Sequence, residues 1–293
     1  MALRLRIREI DEILICQPSS TRVIQDRIAV MLQQELTNYP RNDLTFKLFQ
    51  KEYSLHPGSR VEDREQICDW GYSMVDQFNI DREVVLTSWY FIDRILCTYE
   101  EHCNPIFVKA ISRAALLLAS KLSGSRTMYK SMISHLDFNV DLLARMERLL
   151  LQSLKWKLHP PTPKAVIREL IGFLTTKLDV SSAKIVSKYA HFFAELSVYD
   201  TKLARMNIMS LAVAALLNAL EWSSCSKSHY LSIKWSLFND FGNTLTQEDI
   251  DCAQKKMMEI FRKTRECTVS LSDGGSSDQK MVVALSLRTI GNS

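Results

Sequence analysis

The stretch Ala114-Ala115-Leu116-Leu117-Leu118-Ala119 decides the fold. It sits in a helical run over 106–122 and is apolar on almost every side, so it belongs in the centre of a bundle rather than on a surface. N-terminal to it, a run over 84–96 turns Val85, Trp89, Ile92 and Leu96 to one face, with Asp81 placed as its N-cap. Earlier still, Ile67, Trp70, Gly71, Met74, Val75 and Phe78 follow the three-four spacing of a half-buried helix, opposite Arg64, Glu65, Asp69 and Asp76. On the C-terminal side Leu142, Leu143, Met146, Leu149, Leu150 and Leu154 define another amphipathic helix. It is stopped by His159-Pro160-Pro161-Thr162-Pro163, a run that favours extended backbone and marks the main boundary of the chain.

Beyond that boundary the same features return about one hundred residues later. Ile67, Trp70, Gly71 and Met74 are answered by Ile167, Leu170, Ile171 and Leu174. Val85, Trp89 and Leu96 are answered by Ile185, Tyr189 and Leu196, and Ala114-Ala115-Leu116-Leu117 by Ala214-Ala215-Leu216-Leu217. Three matches in one register point to an internal duplication. A further helix is expected over 21–37, capped near Ser19-Ser20, stopped near Asn38-Tyr39-Pro40 and packed on one repeat. The last strong helix is expected over 248–265, with Ile250, Ala253, Met257, Ile260 and Phe261 on one face. Residues 270–293 read as a mobile tail.

Length and composition bound the answer. At 293 residues the chain has room for about two compact domains. With 46% hydrophobic residues it can offset the entropy of folding, and 8 Gly and 7 Pro are too few for a turn-dense β architecture. An all-α protein is expected. The net charge of +4 is too small to argue direct nucleic-acid binding. Cys16, Cys68, Cys97, Cys103, Cys225, Cys252 and Cys267 form no Cys-x-x-Cys pair, which describes reduced thiols rather than a disulfide framework or zinc site. Cys97, His102 and Cys103 lie close together but lack a fourth ligand, so no metal is expected. The longest uncharged apolar run, about fifteen residues between Arg205 and Glu221, falls short of the roughly twenty that span a membrane. The N-terminus, with Arg4, Arg6, Arg8 and Glu9, has no secretory pattern. An intracellular protein is expected. No glycine-rich phosphate loop and no nucleophile with a fitting base occurs, so no catalytic residue and no cofactor is assigned.

Taken in order, several of these stretches resemble the cyclin box. They are Trp89-Tyr90-Phe91-Ile92-Asp93-Arg94-Ile95-Leu96, Ala114 to Leu122, Leu143-Ala144-Arg145-Met146-Glu147-Arg148-Leu149-Leu150-Leu151, Leu154-Lys155-Trp156-Lys157-Leu158 and Pro160-Pro161-Thr162-Pro163. Arg64 with Asp69-Trp70 is similar to the opening helix of the box. Phe193-Ala194-Glu195-Leu196-Ser197-Val198-Tyr199-Asp200 is similar to the second-repeat helix of two-box, cell-cycle-type cyclins. The resemblance covers about 60–265 and implies tandem cyclin folds, two five-helix bundles preceded by an N-terminal helix. The divisions it suggests are an N-terminal segment over 1–59, a first box over 60–159, a second over 160–265 and a tail over 266–293.

The resemblance implies a regulatory subunit that is not itself an enzyme. It would bind and activate a cyclin-dependent Ser/Thr kinase as a heterodimer in cell-cycle control. It also makes Lys121 and Glu147 the polar anchors of the kinase, with Leu118, Leu122, Arg148, Leu151, Trp156 and Leu158 as the surface around them. Each has a plainer reading: a lysine near a helix C-terminus is favoured by the helix dipole, leucines at this spacing serve cores, and Glu147 between Arg145 and Arg148 fits a solvated face. Arg64 and Asp93 resemble a structural ion pair of the box.

Departures from the pattern matter. Leu122-Ser123-Gly124 follows Lys121 where many cyclins carry an acidic pair. In the patch that recruits Arg-x-Leu substrates, Asp63 and Gln66 replace apolar residues and leave Ile67 and Trp70 as weak substrate-docking contacts, because a charge and an amide are costly to desolvate against an apolar ligand. Arg41-Asn42-Asp43-Leu44 fits a loose destruction motif, and Leu14 with Cys16 lacks the glutamate of a retinoblastoma-binding motif because Pro18 takes its place. The alternatives are a kinase-binding scaffold that does not activate, and a cyclin-fold transcription factor. The second calls for a strongly basic stripe and a zinc ribbon, against which stand a net charge of only +4 and the absence of paired cysteines.

Overall fold

A computed structural model describes residues 21–41, 59–98, 105–124, 139–175, 177–223 and 226–272. Among these there are eleven α-helices, two short 3-10 turns and no strand. The fold is all-α, with α1 Thr21–Asn38 ahead of α2 Ser59–Gln77, α3 Glu83–Thr98, α4 Pro105–Leu122 and α5 Val140–Ser153. The second set is α6 Pro163–Leu174, α7 Val180–Glu195, α8 Thr201–Arg205, α9 Ile208–Trp222, α10 Lys227–Phe241 and α11 Gln247–Ser272.

Caps explain where these helices begin. The Asp81 carboxylate accepts the Glu83 N–H at 2.7 Å and opens α3. Asn139, Thr162, Asp179, Asn207 and Ser226 do the same for α5, α6, α7, α9 and α10, each satisfying an N–H that the first turn leaves without a partner. Gly124, at φ 88°, closes α4 in the left-handed conformation, with its N–H on the Lys121 carbonyl at 3.3 Å. The Leu122-Ser123-Gly124 departure is therefore a helix stop.

The two apolar helices lie at the two centres. Ala114 through Ala119 on α4 are all buried, and on α9 every residue from Ile208 to Leu220 is. Helices α3 and α5 pack on α4; α6, α7 and α11 pack on α9. The repeat match holds at Trp89 and Tyr189 and at Met74 and Leu174, all buried. It fails at one pair: Val85 is buried but Ile185 is 37% exposed, and its neighbour Val186 turns inward instead.

Other expectations need correction. Helix α2 starts at Ser59, well before the apolar series, and α11 runs past Arg265 to Ser272. The sequence pattern passed over α10, because Leu231 and Trp235 face solvent while Ile233, Ser236, Leu237 and Phe241 face inward, which blurs the period. In the proline run, Pro160, Pro161, Thr162 and Pro163 are buried and packed into the fold. The tail residues 273–293 and the suggested Ser19-Ser20 cap lie outside the described residues.

Helix α1 does pack on one repeat, against α6 and the end of α9. Its buried Glu35 accepts the Ile208 N–H at 3.0 Å, capping α9 from outside, and pairs with Arg41 at 2.9 Å. Arg41 also donates to the Pro161 carbonyl and lies over the Tyr90 ring. The first residue of the loose destruction motif is thus built into the fold.

Candidate functional site

The anchors proposed from the sequence lie side by side. Lys121, in the last turn of α4, donates from Nζ to both Glu147 carboxylate oxygens on α5, at 2.6 and 2.7 Å. Spacing alone does not show this partnership, since 26 residues separate the two. Their side chains are 34% and 25% exposed, so the pair is set in the surface but reachable from it. Its intramolecular worth is correspondingly small, below about 1 kcal/mol.

The apolar residues sort by depth. Leu118 is 4% exposed and belongs to the core, so it forms the floor under the pair rather than the surface beside it. Leu122, Leu151 and Leu158 are half-buried against that core, Arg148 is exposed, and Trp156 is 71% exposed. Ile67 and Trp70 are half-buried on a different helix, α2, with Glu65 and Gln66 exposed next to them. Nothing is described of the Asp63 side chain. No catalytic or cofactor residue was assigned from the sequence, and no metal-binding group of three His, Cys, Asp or Glu residues occurs among the described residues. Of the cysteines, Cys68, Cys97 and Cys252 are described, all as free thiols; His102 and Cys103 are outside the described residues. No described helix is long and apolar enough to cross a membrane.

A buried polar joint ties α2 and α3 to the second set of helices. Arg64 grips Asp93 with two bonds, at 2.8 and 3.1 Å, as the resemblance implies. The same guanidinium donates from Nε to the Val198 carbonyl at 2.6 Å and stacks over Trp89, 4.1 Å from its centroid. Burial opposes the Arg64 charge, but Asp93 outweighs it and holds the group above its ordinary pKa. Tyr199 O–H donates to Asp69 at 2.9 Å, and Tyr72 O–H to the Glu195 carbonyl at 2.9 Å. Sequence reading placed the Arg64 and Asp93 pair but not its reach into the second repeat.

The family described as "Cyclin, N-terminal domain" matches residues 26–159, a span that holds α2 to α5, the Arg64–Asp93 pair and the Lys121–Glu147 pair. Residues 26–159 match the N-terminal domain of cyclins. Cyclin-D3-1 of Arabidopsis thaliana is 25% identical over 161 residues, 50% of this chain and 42% of that relative, so the match spans less than half of the plant cyclin. A chain in the structure of the CAK complex from Chaetomium thermophilum bound to ATP-gamma-S superposes at a TM-score of 0.55 with 15% identity, over 91% of this chain and 86% of that one. The likeness in fold therefore continues past residue 159, and the architecture is that of tandem cyclin folds.

Proposed function

We propose that this chain is the regulatory subunit of a cyclin-dependent Ser/Thr kinase, docking through the edge where α4 meets α5 and switching the kinase on in control of cell division. The observation that carries this reading is the Lys121–Glu147 pair, preformed on a half-apolar surface. Lys121 is of a type that donates to main-chain carbonyls, and the Glu147 oxygens accept from main-chain N–H groups. Both gain strength when Leu122, Leu151, Trp156 and Leu158 close over them and exclude water.

The action is positional. A protein kinase aligns its phosphates and magnesium ions only when the strand-to-helix Lys–Glu pair of its own N-lobe is formed, and a rigid body packed against that helix fixes it inward. Rigidity is what the polar joint supplies to the body behind that edge: Arg64 holds α2 to Asp93 on α3 and to Val198 in the second repeat, and α3 packs on α4. The chain needs no cofactor for this task. We place the first box over 60–159 and the second over 160–265, with nucleus or cytoplasm as its setting.

The test is to mix the purified protein with purified cyclin-dependent kinases from the same cells and to compare the histone-kinase activity of wild type with Lys121→Ala/Glu147→Ala. A fall of at least tenfold with a folded variant is expected. Kinase retained without activity would make the chain a scaffold, and kinase activity equal in both proteins would remove the pair from the site.

A further inference from the structure

The outer face of α5 carries a second feature whose chemistry the proposed function leaves open. Arg145, Arg148, Gln152 and Lys155 follow at spacings of three, four and three residues, which sets them on one face of the helix and its cap. All four are exposed, and no acid interrupts the stripe. None of the three cations is in an ion pair among the described residues. The stripe ends at Trp156, 71% exposed, with Lys157 exposed beyond it.

The turn that holds Trp156 out is fixed and strained. Lys155 N–H donates to the Gln152 carbonyl at 3.0 Å and Trp156 N–H to the Leu151 carbonyl at 3.1 Å, the two bonds of a Schellman cap. Such a cap calls for glycine at its first position. Here Lys155 stands there at φ 50° and Trp156 follows at φ 60°, a conformation that side-chain-bearing residues avoid. Strain, an indole left in water and three cations without acids coincide on one surface. Among the described residues, the packing of the chain uses none of them.

We infer that this stripe docks an acidic segment of the kinase, which offers carboxylates to Arg145, Arg148 and Lys155 around an apolar contact that covers Trp156. The inference rests on the kinase-binding reading and adds the charge of the partner surface, and with it a basis for choosing among kinases. Charge complementarity carries it: the cations lie within eleven residues of helix and cap, about 15 Å, in a chain whose net charge is only +4. A protein partner is favoured over nucleic acid because a single indole is no stacking platform for successive bases, and the Glu147 carboxylate lies on the neighbouring row of α5.

The experiment measures association of the full chain with purified cyclin-dependent kinases from the same cells, and with duplex DNA, at about 0.1 M and 0.5 M salt. Wild type is compared with Arg148→Glu/Lys155→Glu, and with Lys155→Gly, which keeps the cap and removes one cation. The double reversal should slow association with the preferred kinase at least tenfold at low salt and little at high salt; Lys155→Gly should slow it about threefold. Kinase bound by wild type and both variants at one rate and one salt dependence overturns this inference and leaves the kinase reading standing. DNA bound more tightly than any kinase, or no kinase bound by wild type, overturns both.

Discussion

Arg82 Nε donates to Glu195 Oε2 at 2.8 Å, joining the turn before α3 to the end of α7. The same glutamate takes Lys164 on its other oxygen at 3.2 Å and Tyr72 O–H on its main-chain carbonyl. Burial works against the Arg82 charge, yet Glu195 and Asp76 outweigh it and hold the guanidinium above its ordinary pKa. One residue therefore ties both halves of the molecule together. A buried pair of this kind costs most when half of it is removed, because the remaining charge is left without a partner. Glu195→Ala should lower unfolding free energy by about 3–5 kcal/mol, and Arg82→Ala/Glu195→Ala by clearly less than the sum of its single variants. Urea unfolding of the four proteins measures both.

Glu35 is the corresponding device for α1. It is 4% exposed, caps α9 through Ile208 N–H and holds Arg41. Burial pushes its carboxyl pKa up, against the opposing pull of Arg41 and the Ile208 N–H. Glu35→Ala should cost about 2–3 kcal/mol by losing a cap and leaving the half-buried Arg41 without its carboxylate. Glu35→Gln, which keeps an acceptor for the Ile208 N–H, should recover part of that loss. Equal losses in the two variants would show that the cap carries none of the stability.

His191 on α7 gives the fold an acid sensitivity. Its Nδ1 is buried with no hydrogen-bond partner among the described residues, and Lys164 and Arg168 lie near it along with Glu195 and Asp81. Burial, helped by the two cations, pushes its pKa down to about 3 from an ordinary 6.5. Between those values the unfolded chain binds a proton that the folded chain does not. The stability from a neutral His191 is fully present above pH 6.5 and is lost as pH falls towards 3, by about 1.4 kcal/mol per pH unit. Unfolding at pH 7, 6 and 5 should show this slope in wild type and a reduced one in His191→Gln.

The helices and the site were legible in the sequence to different degrees. The apolar runs of α4 and α9 have no polar face to mislead a reading, and both are central. Helix α10 escaped notice because two of its large apolar residues, Leu231 and Trp235, face water. Lys121 and Glu147 were singled out by a resemblance, but their mutual bond depends on how α4 meets α5, and no local pattern encodes that crossing. The same holds for Arg64 with Val198 and for Glu35 with Ile208, which join residues 134 and 173 positions apart. Periodicity reports which face is buried; it is silent on which distant main-chain group a buried charge will find.

Lys155 offers a direct test of whether the α5 cap is arranged for stability or for contact. A residue with a side chain at φ 50° costs about 1–2 kcal/mol there, while glycine costs about 0.5–1 kcal/mol through the greater freedom of the unfolded chain. The first term is the larger, so Lys155→Gly should raise unfolding free energy by up to about 1 kcal/mol. Lys155→Ala keeps the strain and should leave stability within about 0.5 kcal/mol of wild type. Thermal or urea unfolding decides the matter for the cap. A glycine variant that is more stable yet associates more slowly with its kinase would show that the strained lysine serves the interface. A glycine variant less stable than wild type would show that the Lys155 side chain, or its stem packed on α5, contributes more to the fold than its backbone strain removes.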